Sequence, residues 1–167
     1  MIRIVFTASS KWASRAIRWL TNGRVSHVFG QWPCEVWGGD WATEATWPMV
    51  ISRPAELARH NIYREFECLF DAKKALHDIR HEVGQWYDFK GFALVGLWLL
   101  FCRIVKNKIK YPFHNTKGDL CSELYSKMLK KALLADTIQM NPEFTTPEDL
   151  LKYCEAHLQY FRELPKG

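Results

Sequence analysis

The sequence predicts an α+β protein that forms a single domain over residues 1–167. Short runs with an apolar residue at every second position, typical of strands, occur among longer runs with apolar residues every three or four positions, typical of helices. No repeat, low-complexity tract or linker separates them. With 167 residues, of which 48% are hydrophobic, the chain is long enough to bury a core of its own.

The first 33 residues predict a strand, a helix and a second strand. MIRIVFTA alternates as a strand does, and VSHVFGQW is another strand, which Pro33 interrupts. Between them, SSKWASRAIRWLTNG predicts a helix with Ser9 or Ser10 as its cap and Asn22-Gly23 at its end. The apolar face of this helix consists of Trp12, Ala16, Trp19 and Leu20.

The next segment predicts a hairpin and a further strand. CEVW and WATEATW flank Gly38-Gly39-Asp40, a combination that favours a tight turn. NIYREFECLF is the next strand, and Asp71 is placed to cap the helix AKKALHDIRHEVG that follows it.

The remaining elements are mostly helical. FALVGLWLLFCRIV (92–105) predicts an apolar helix, and KGDLCSELYSKMLKKALL predicts another with Cys121 in its first turn. TTPEDLLKYCEAH combines a Thr146 cap, Pro147 at the first helical position and two acidic residues in the first turn. LQYFREL is the last predicted strand.

Charge and cysteine content narrow the function classes. The net charge is +5, but the only dense basic run is KNKIK at 106–110, which is too short to favour nucleic acid as the partner. Five cysteines without a C-x-x-C pair argue against a disulfide framework and against a cysteine zinc site. The start of the chain lacks the apolar run of a signal peptide, so we expect a reducing, cytoplasmic setting.

The tryptophans and the apolar helix each allow two interpretations. Eight tryptophans predict either a Trp-rich core or an aromatic wall around a binding cleft, and we expect most of them in the core. Residues 92–105 are fewer than the roughly 20 needed to cross a bilayer, so a buried helix is predicted. The alternative is a peripheral membrane contact, because KNKIK follows directly.

Cys121 is the residue with the most distinctive position. If Asp119 is the N-cap, Cys121 lies where free backbone N–H groups and the helix dipole favour a thiolate. The same N–H groups can hold the oxyanion of an acyl-transfer intermediate. A small buried hydrophobe is nevertheless the commoner role of a free cysteine, and position alone leaves that interpretation open.

A thiolate nucleophile needs a base, and His27 is the best placed of six histidines. It lies on the strand RVSHVFG, and Glu44 on the neighbouring strand WATEATW can orient its ring. Strand alternation puts Glu44 on the face opposite Ala45. His77 and His81 lie one helical turn apart, but no third ligand is evident, so we predict no metal site.

These motifs, in this order, resemble the circularly permuted, YiiX/YebB-like branch of the NlpC-type, papain-like thiol hydrolases. The matching motifs are SHV with His27, TEA with Glu44, YDF with Tyr87, CSEL with Cys121, and TTPEDL. The resemblance covers nearly the whole chain and implies a permuted papain-like fold, in which an antiparallel sheet packs against helices. The first strand departs from the family, because RIVFTASS stands where members often have Gly-Asp.

The resemblance and the residues together predict a cysteine hydrolase (amidase, peptidase or esterase). Cys121 would be the nucleophile, His27 the base, Glu44 the group that orients it, and Tyr87 a substrate-binding residue. Such a thioester mechanism needs no metal or organic cofactor. Its partner would be a peptide, amide or lipid-ester substrate. The alternatives are a thiol acyltransferase or phospholipase acting at a membrane surface, and a catalytically silent binding module on the same fold.

Overall fold

A computed structural model describes residues 1–86, 89–105, 121–133 and 145–165, and its centre is one six-stranded antiparallel sheet. The order of the strands across the sheet is β4-β3-β2-β1-β5-β6. Their bounds are β1 Arg3–Thr7, β2 His27–Pro33, β3 Asp40–Thr46, β4 Met49–Pro54, β5 Ile62–Cys68 and β6 Phe161–Glu163. The predicted α+β class is therefore confirmed.

The described residues contain six helices beside the sheet. They are α1 Trp12–Thr21, α2 Ala55–Ala58, α3 Lys73–Arg80, α4 Phe89–Val105, α5 Cys121–Leu133 and α6 Pro147–Ala156. The main core contains alternate residues of the strands, such as Ile4 and Phe6 of β1, together with buried side chains of α3, α5 and α6. A smaller cluster on the other face includes Val5, Phe29 and two alanines of α2.

The β2–β3 hairpin differs from the predicted one. CEVW was expected to be a strand, but residues 35–37 form a turn, and β2 itself pairs with β3 from Gly30↔Thr43 to Pro33↔Asp40. Gly38 and Gly39 both have positive φ, so the predicted turn glycines do reverse the chain. Pro33 is the last residue of β2, where a missing N–H disturbs the ladder least.

Two elements have no counterpart in the sequence prediction. β4 pairs with β3 along its whole length and places Arg53 opposite Ala42, two residues from Glu44. α2 is a single short turn of helix directly after Pro54. The sequence of β4 is bounded by Pro48 and Pro54, and prolines argue against a strand in an analysis of sequence pattern.

The expectation that most tryptophans are buried is wrong. Trp32 is buried, whereas five of the eight are exposed: Trp12, Trp19, Trp37, Trp47 and Trp86. The predicted face of α1 is likewise not core, because α1 has no buried residue. No described residue of α4 is buried either, although a buried helix was predicted. In the part of the chain that the structure describes, no helix is both long enough and apolar enough to cross a membrane.

The seating of α5 on the sheet depends on Gly30. A Cβ atom at Gly30 would lie 2.5 Å from Cε1 of Tyr125 and 2.7 Å from its hydroxyl oxygen. The Tyr125 ring therefore lies directly on the backbone of β2, and its hydroxyl donates to the carbonyl of Thr43 on β3. These contacts fix the start of α5 beside β2 and β3, the two strands that carry His27 and Glu44.

The C-terminal part is secured by caps and ion pairs. Thr146 and Asp149 form a capping box at the start of α6, with Pro147 following the cap as predicted. The guanidinium of Arg24, just before β2, pairs with Glu148 at 2.9 Å and with Glu155 at 2.7 Å, both on α6.

Candidate active site

Cys121 is the first described residue of α5, and its thiol is buried. The backbone N–H groups of Val28 and Ser122 hydrogen-bond its sulfur. The N–H of Ser122 is available to the sulfur because backbone N–H groups in the first turn of a helix have no carbonyl partner one turn earlier. The predicted N-cap, Asp119, lies outside the described residues.

His27 connects Cys121 to Glu44. Its Nε2 lies 2.9 Å from Oε2 of Glu44, and its ring also hydrogen-bonds the Cys121 thiol. Because Nε2 is used by Glu44, Nδ1 is the ring nitrogen left to face the sulfur. The structure thus brings Cys121, His27 and Glu44 together, as the sequence interpretation required.

Arg53 is a fourth member of this group, which the sequence reasoning missed. Its Nε lies 2.6 Å and its second guanidinium nitrogen 2.5 Å from Oε1 of Glu44. The two carboxylate oxygens therefore have different partners, since Oε2 accepts a hydrogen bond from His27 and Oε1 accepts one from Arg53. The available signal was the short turn at Trp47-Pro48, after which a strand returning along WATEATW would bring Arg53 to the face of Glu44.

Three of these groups, His27, Cys121 and Glu44, have shifted pKa values. Burial disfavours an imidazolium, but the sulfur of Cys121 and the carboxylate of Glu44 outweigh it and raise the pKa of His27 to about 10. Burial likewise opposes a thiolate, but His27 and the N–H groups of Val28 and Ser122 lower the pKa of Cys121. The pKa of Glu44 is also lowered, because His27 and Arg53 outweigh the effect of burial.

Two other buried cysteines show the opposite behaviour. Burial raises the pKa of Cys68 to about 12, with a contribution from the neighbouring Glu67. Burial also raises the pKa of Cys154 well above its ordinary value. Cys121 therefore differs from these cysteines in its charged surroundings and not in its degree of burial.

The remaining residues considered in the sequence analysis are Tyr87 and the pair His77 and His81. Tyr87, predicted to bind substrate, lies outside the described residues. His77 and His81 stack edge to face with ring centroids 4.8 Å apart. Among residues 1–86, 89–105, 121–133 and 145–165, no group of three or more His, Cys, Asp or Glu side chains could hold a metal ion.

The fold and the site together define an α+β protein with a buried thiol, an imidazole and a carboxylate linked in series. No protein-family model matches the chain, and no curated protein matches it significantly. Among solved structures, the chain is similar to the metalloprotein YiiX from Escherichia coli O157:H7, with 15% sequence identity and a TM-score of 0.57. The similarity covers 99% of this chain and 96% of that one. At this identity the likeness concerns the fold, and the described residues here do not offer a three-ligand metal site.

Proposed function

We propose that this protein is a cysteine hydrolase of the permuted papain-like kind, which cleaves an amide or ester bond through a thioester. The observation that carries the proposal is the Cys121–His27–Glu44 series, in which the pKa of the thiol is lowered and that of the imidazole is raised. Such an ion pair supplies a nucleophile and a general acid at neutral pH.

In the first half-reaction, the Cys121 thiolate forms a bond to the carbonyl carbon of the substrate, and the carbonyl π electrons move to oxygen. The backbone N–H of Cys121 would stabilise that oxyanion. When the tetrahedral intermediate collapses, the bond to the leaving amine or alcohol breaks, and the Nδ1 proton of His27 passes to the leaving group. The acyl group remains on sulfur as a thioester.

In the second half-reaction, neutral His27 accepts a proton from water, and the hydroxide oxygen attacks the thioester carbon. Collapse of this intermediate releases a carboxylic acid and returns the sulfur as thiolate beside imidazolium. Protons and electrons balance without any further reactant.

Glu44 and Arg53 act through His27 in this mechanism. The Glu44 carboxylate accepts from Nε2–H, which holds the ring with Nδ1 toward the sulfur and stabilises its positive charge. Arg53 is a positioning residue, because it binds the other oxygen of Glu44 and fixes the orientation of the carboxylate.

Selective alkylation tests the site without knowledge of the substrate. We expect iodoacetamide to label Cys121 well below pH 8.5, the ordinary thiol pKa being roughly 8.5, and to spare Cys68 and Cys154 in the native protein. Labelling is measured by peptide mass across pH. If Cys121 reacts no faster than Cys68, the protein is a binding module on the same fold and the hydrolase proposal is wrong.

Turnover is tested with a panel of peptides, acyl amides and acyl esters. Cys121→Ala and Cys121→Ser should remove activity while leaving the circular dichroism spectrum unchanged, because the side chain is small and the fold does not depend on its charge. Retained turnover in the Ala variant would refute Cys121 as the nucleophile.

A second candidate is an acyltransferase or phospholipase that uses the same residues. The observation that favours it is the exposed apolar face of α4, a feature suited to lipid substrates. Analysis of the products distinguishes the two, since transfer to an amine or alcohol leaves an amide or ester, whereas hydrolysis leaves a free acid.

A further inference from the structure

Helix α4 is almost entirely apolar, yet none of its described side chains is buried. Seven of its described side chains are exposed, and five of them recur every three or four positions and so occupy one face: Lys90, Ala93, Leu97, Phe101 and Ile104. Leu97 is 66% and Ile104 is 72% exposed. Contiguous apolar exposure of this kind marks a binding surface more often than an ordinary solvated face.

Helix α1 extends this surface. Trp12, Arg15 and Trp19 are spaced three and four residues apart, all three are exposed, and Trp12 reaches 82%. The guanidinium of Arg103 on α4 lies 4.3 Å from the ring centroid of Trp19 and donates to the Trp19 carbonyl oxygen. The two helices are thus joined, and their exposed residues form what we call the α1–α4 surface, defined by Trp12, Arg15, Trp19, Lys90, Leu97, Phe101 and Ile104.

The charges on these helices are all positive. Neither α1 nor α4 contains an aspartate or glutamate, whereas they carry Arg15, Arg18, Lys90 and Arg103. Tryptophan and basic side chains beside a stripe of aliphatic and aromatic residues match the layered chemistry of a bilayer surface. Indole rings and long cationic side chains lie at the headgroups, and apolar side chains enter the acyl region.

We infer that the α1–α4 surface docks on an anionic phospholipid membrane. α4 lies along the membrane plane, with its exposed stripe roughly 5–10 Å deep at the boundary between headgroups and acyl chains. The arrangement differs from a membrane span, since the described helices include none able to cross a bilayer. The residues that define this surface do not include Cys121, His27 or Glu44, so this inference does not rest on the proposed hydrolase activity.

The surface is nevertheless connected to the candidate active site. The hydroxyl of Ser14 on α1 lies 2.6 Å from that of Ser26, the residue directly before His27. A membrane that engages α1 therefore contacts a helix tied to the strand of the candidate base.

Vesicle flotation with the full chain carrying Cys121→Ala tests the inference, so that catalysis cannot alter the lipids. We expect binding to vesicles of phosphatidylcholine mixed with phosphatidylglycerol, weaker binding to phosphatidylcholine alone, and a decrease as salt rises. Arg15→Ala should weaken binding by about fivefold, the value of one basic residue near an anionic surface. Phe101→Glu with Ile104→Glu should abolish it.

The matched control is Leu57→Glu on α2, which changes another exposed leucine (59%) and should leave binding unaltered. Circular dichroism spectra establish that each variant is folded, and the salt series on the parent protein gives an independent readout. Absence of binding to the mixed vesicles overturns the inference, as does equal loss in the Leu57 variant. Self-association that Phe101→Glu abolishes, without vesicle binding, would show that a second copy covers the surface instead.

Discussion

Because the two oxygens of Glu44 accept hydrogen bonds from different residues, we expect Glu44→Gln to lower the reactivity of Cys121. In the native site, Oε2 accepts from His27 and Oε1 accepts from Arg53. A glutamine has a single acceptor oxygen, and its other terminal atom is an NH₂ donor. If the amide oxygen serves Arg53, whose guanidinium makes two contacts, the NH₂ group faces the Nε2–H of His27, and the imidazolium loses its stabilising partner.

The size of the effect follows from the bond that is lost. A hydrogen bond to a charged group contributes about 1.5–3 kcal/mol, which corresponds to a loss of roughly 10- to 150-fold in the equilibrium constant that favours the thiolate–imidazolium pair over the neutral pair. Adding Arg53→Met removes the competing donor, so the amide oxygen can turn to His27. The double variant should recover most of the loss and remain about fivefold below the parent, because a neutral acceptor stabilises imidazolium less than a carboxylate.

The assay is the rate of alkylation of Cys121 by iodoacetamide at neutral pH for the parent, both single variants and the double variant. Arg53→Met alone should slow alkylation only modestly, since Glu44 keeps its bond to His27. The reasoning is refuted if the double variant is no more reactive than Glu44→Gln, because the two residues would then act independently. Continued protection of Cys68 from labelling in all four proteins serves as the control for folding.

Two further predictions concern pH and packing. The pKa of Cys121 is lowered and that of His27 is raised to about 10, so the rate of hydrolysis should rise with pH as the Cys121 thiol ionises, stay level, and fall near pH 10 as His27 loses its proton. The rate of Cys121 alkylation needs no general acid and should stay high near pH 10. A parallel fall of both rates would contradict the role of His27 as general acid. Gly30→Ala should destabilise the fold by about 1–3 kcal/mol and lower the melting temperature by several degrees, because its methyl group collides with the Tyr125 ring; an unchanged melting temperature would show that α5 is not seated as described.

The sequence predicted those site residues whose own helix or strand has a clear hydrophobic pattern. His27 and Glu44 lie on strands with clear alternation, and Cys121 opens a strongly periodic helix, so their types and positions could be read locally. Arg53 could not be assigned in this way, because its strand lies between Pro48 and Pro54 and its contact with Glu44 depends on the pairing of β4 with β3. Its role comes from strand register, which a single segment does not encode.

Burial was the property that sequence reasoning predicted least well. The tryptophans of α1 and the apolar residues of α4 were expected in the core because they are hydrophobic. Whether a helix face is buried, however, depends on which other elements pack against it. The sheet core is already filled by α3, α5 and α6, so α1 and α4 contact each other and leave apolar side chains at the surface.

The wide sequence separation between the two halves of the site determines when reactivity arises during folding. His27 and Glu44 are 17 residues apart on neighbouring strands, whereas the Tyr125–Thr43 bond that anchors α5 spans 82 residues. Long-range contacts of this kind carry a greater entropic cost and form late. A nascent or partly unfolded chain therefore has five ordinary thiols, and the acidic thiol of Cys121 arises only once α5 has docked against β2 and β3.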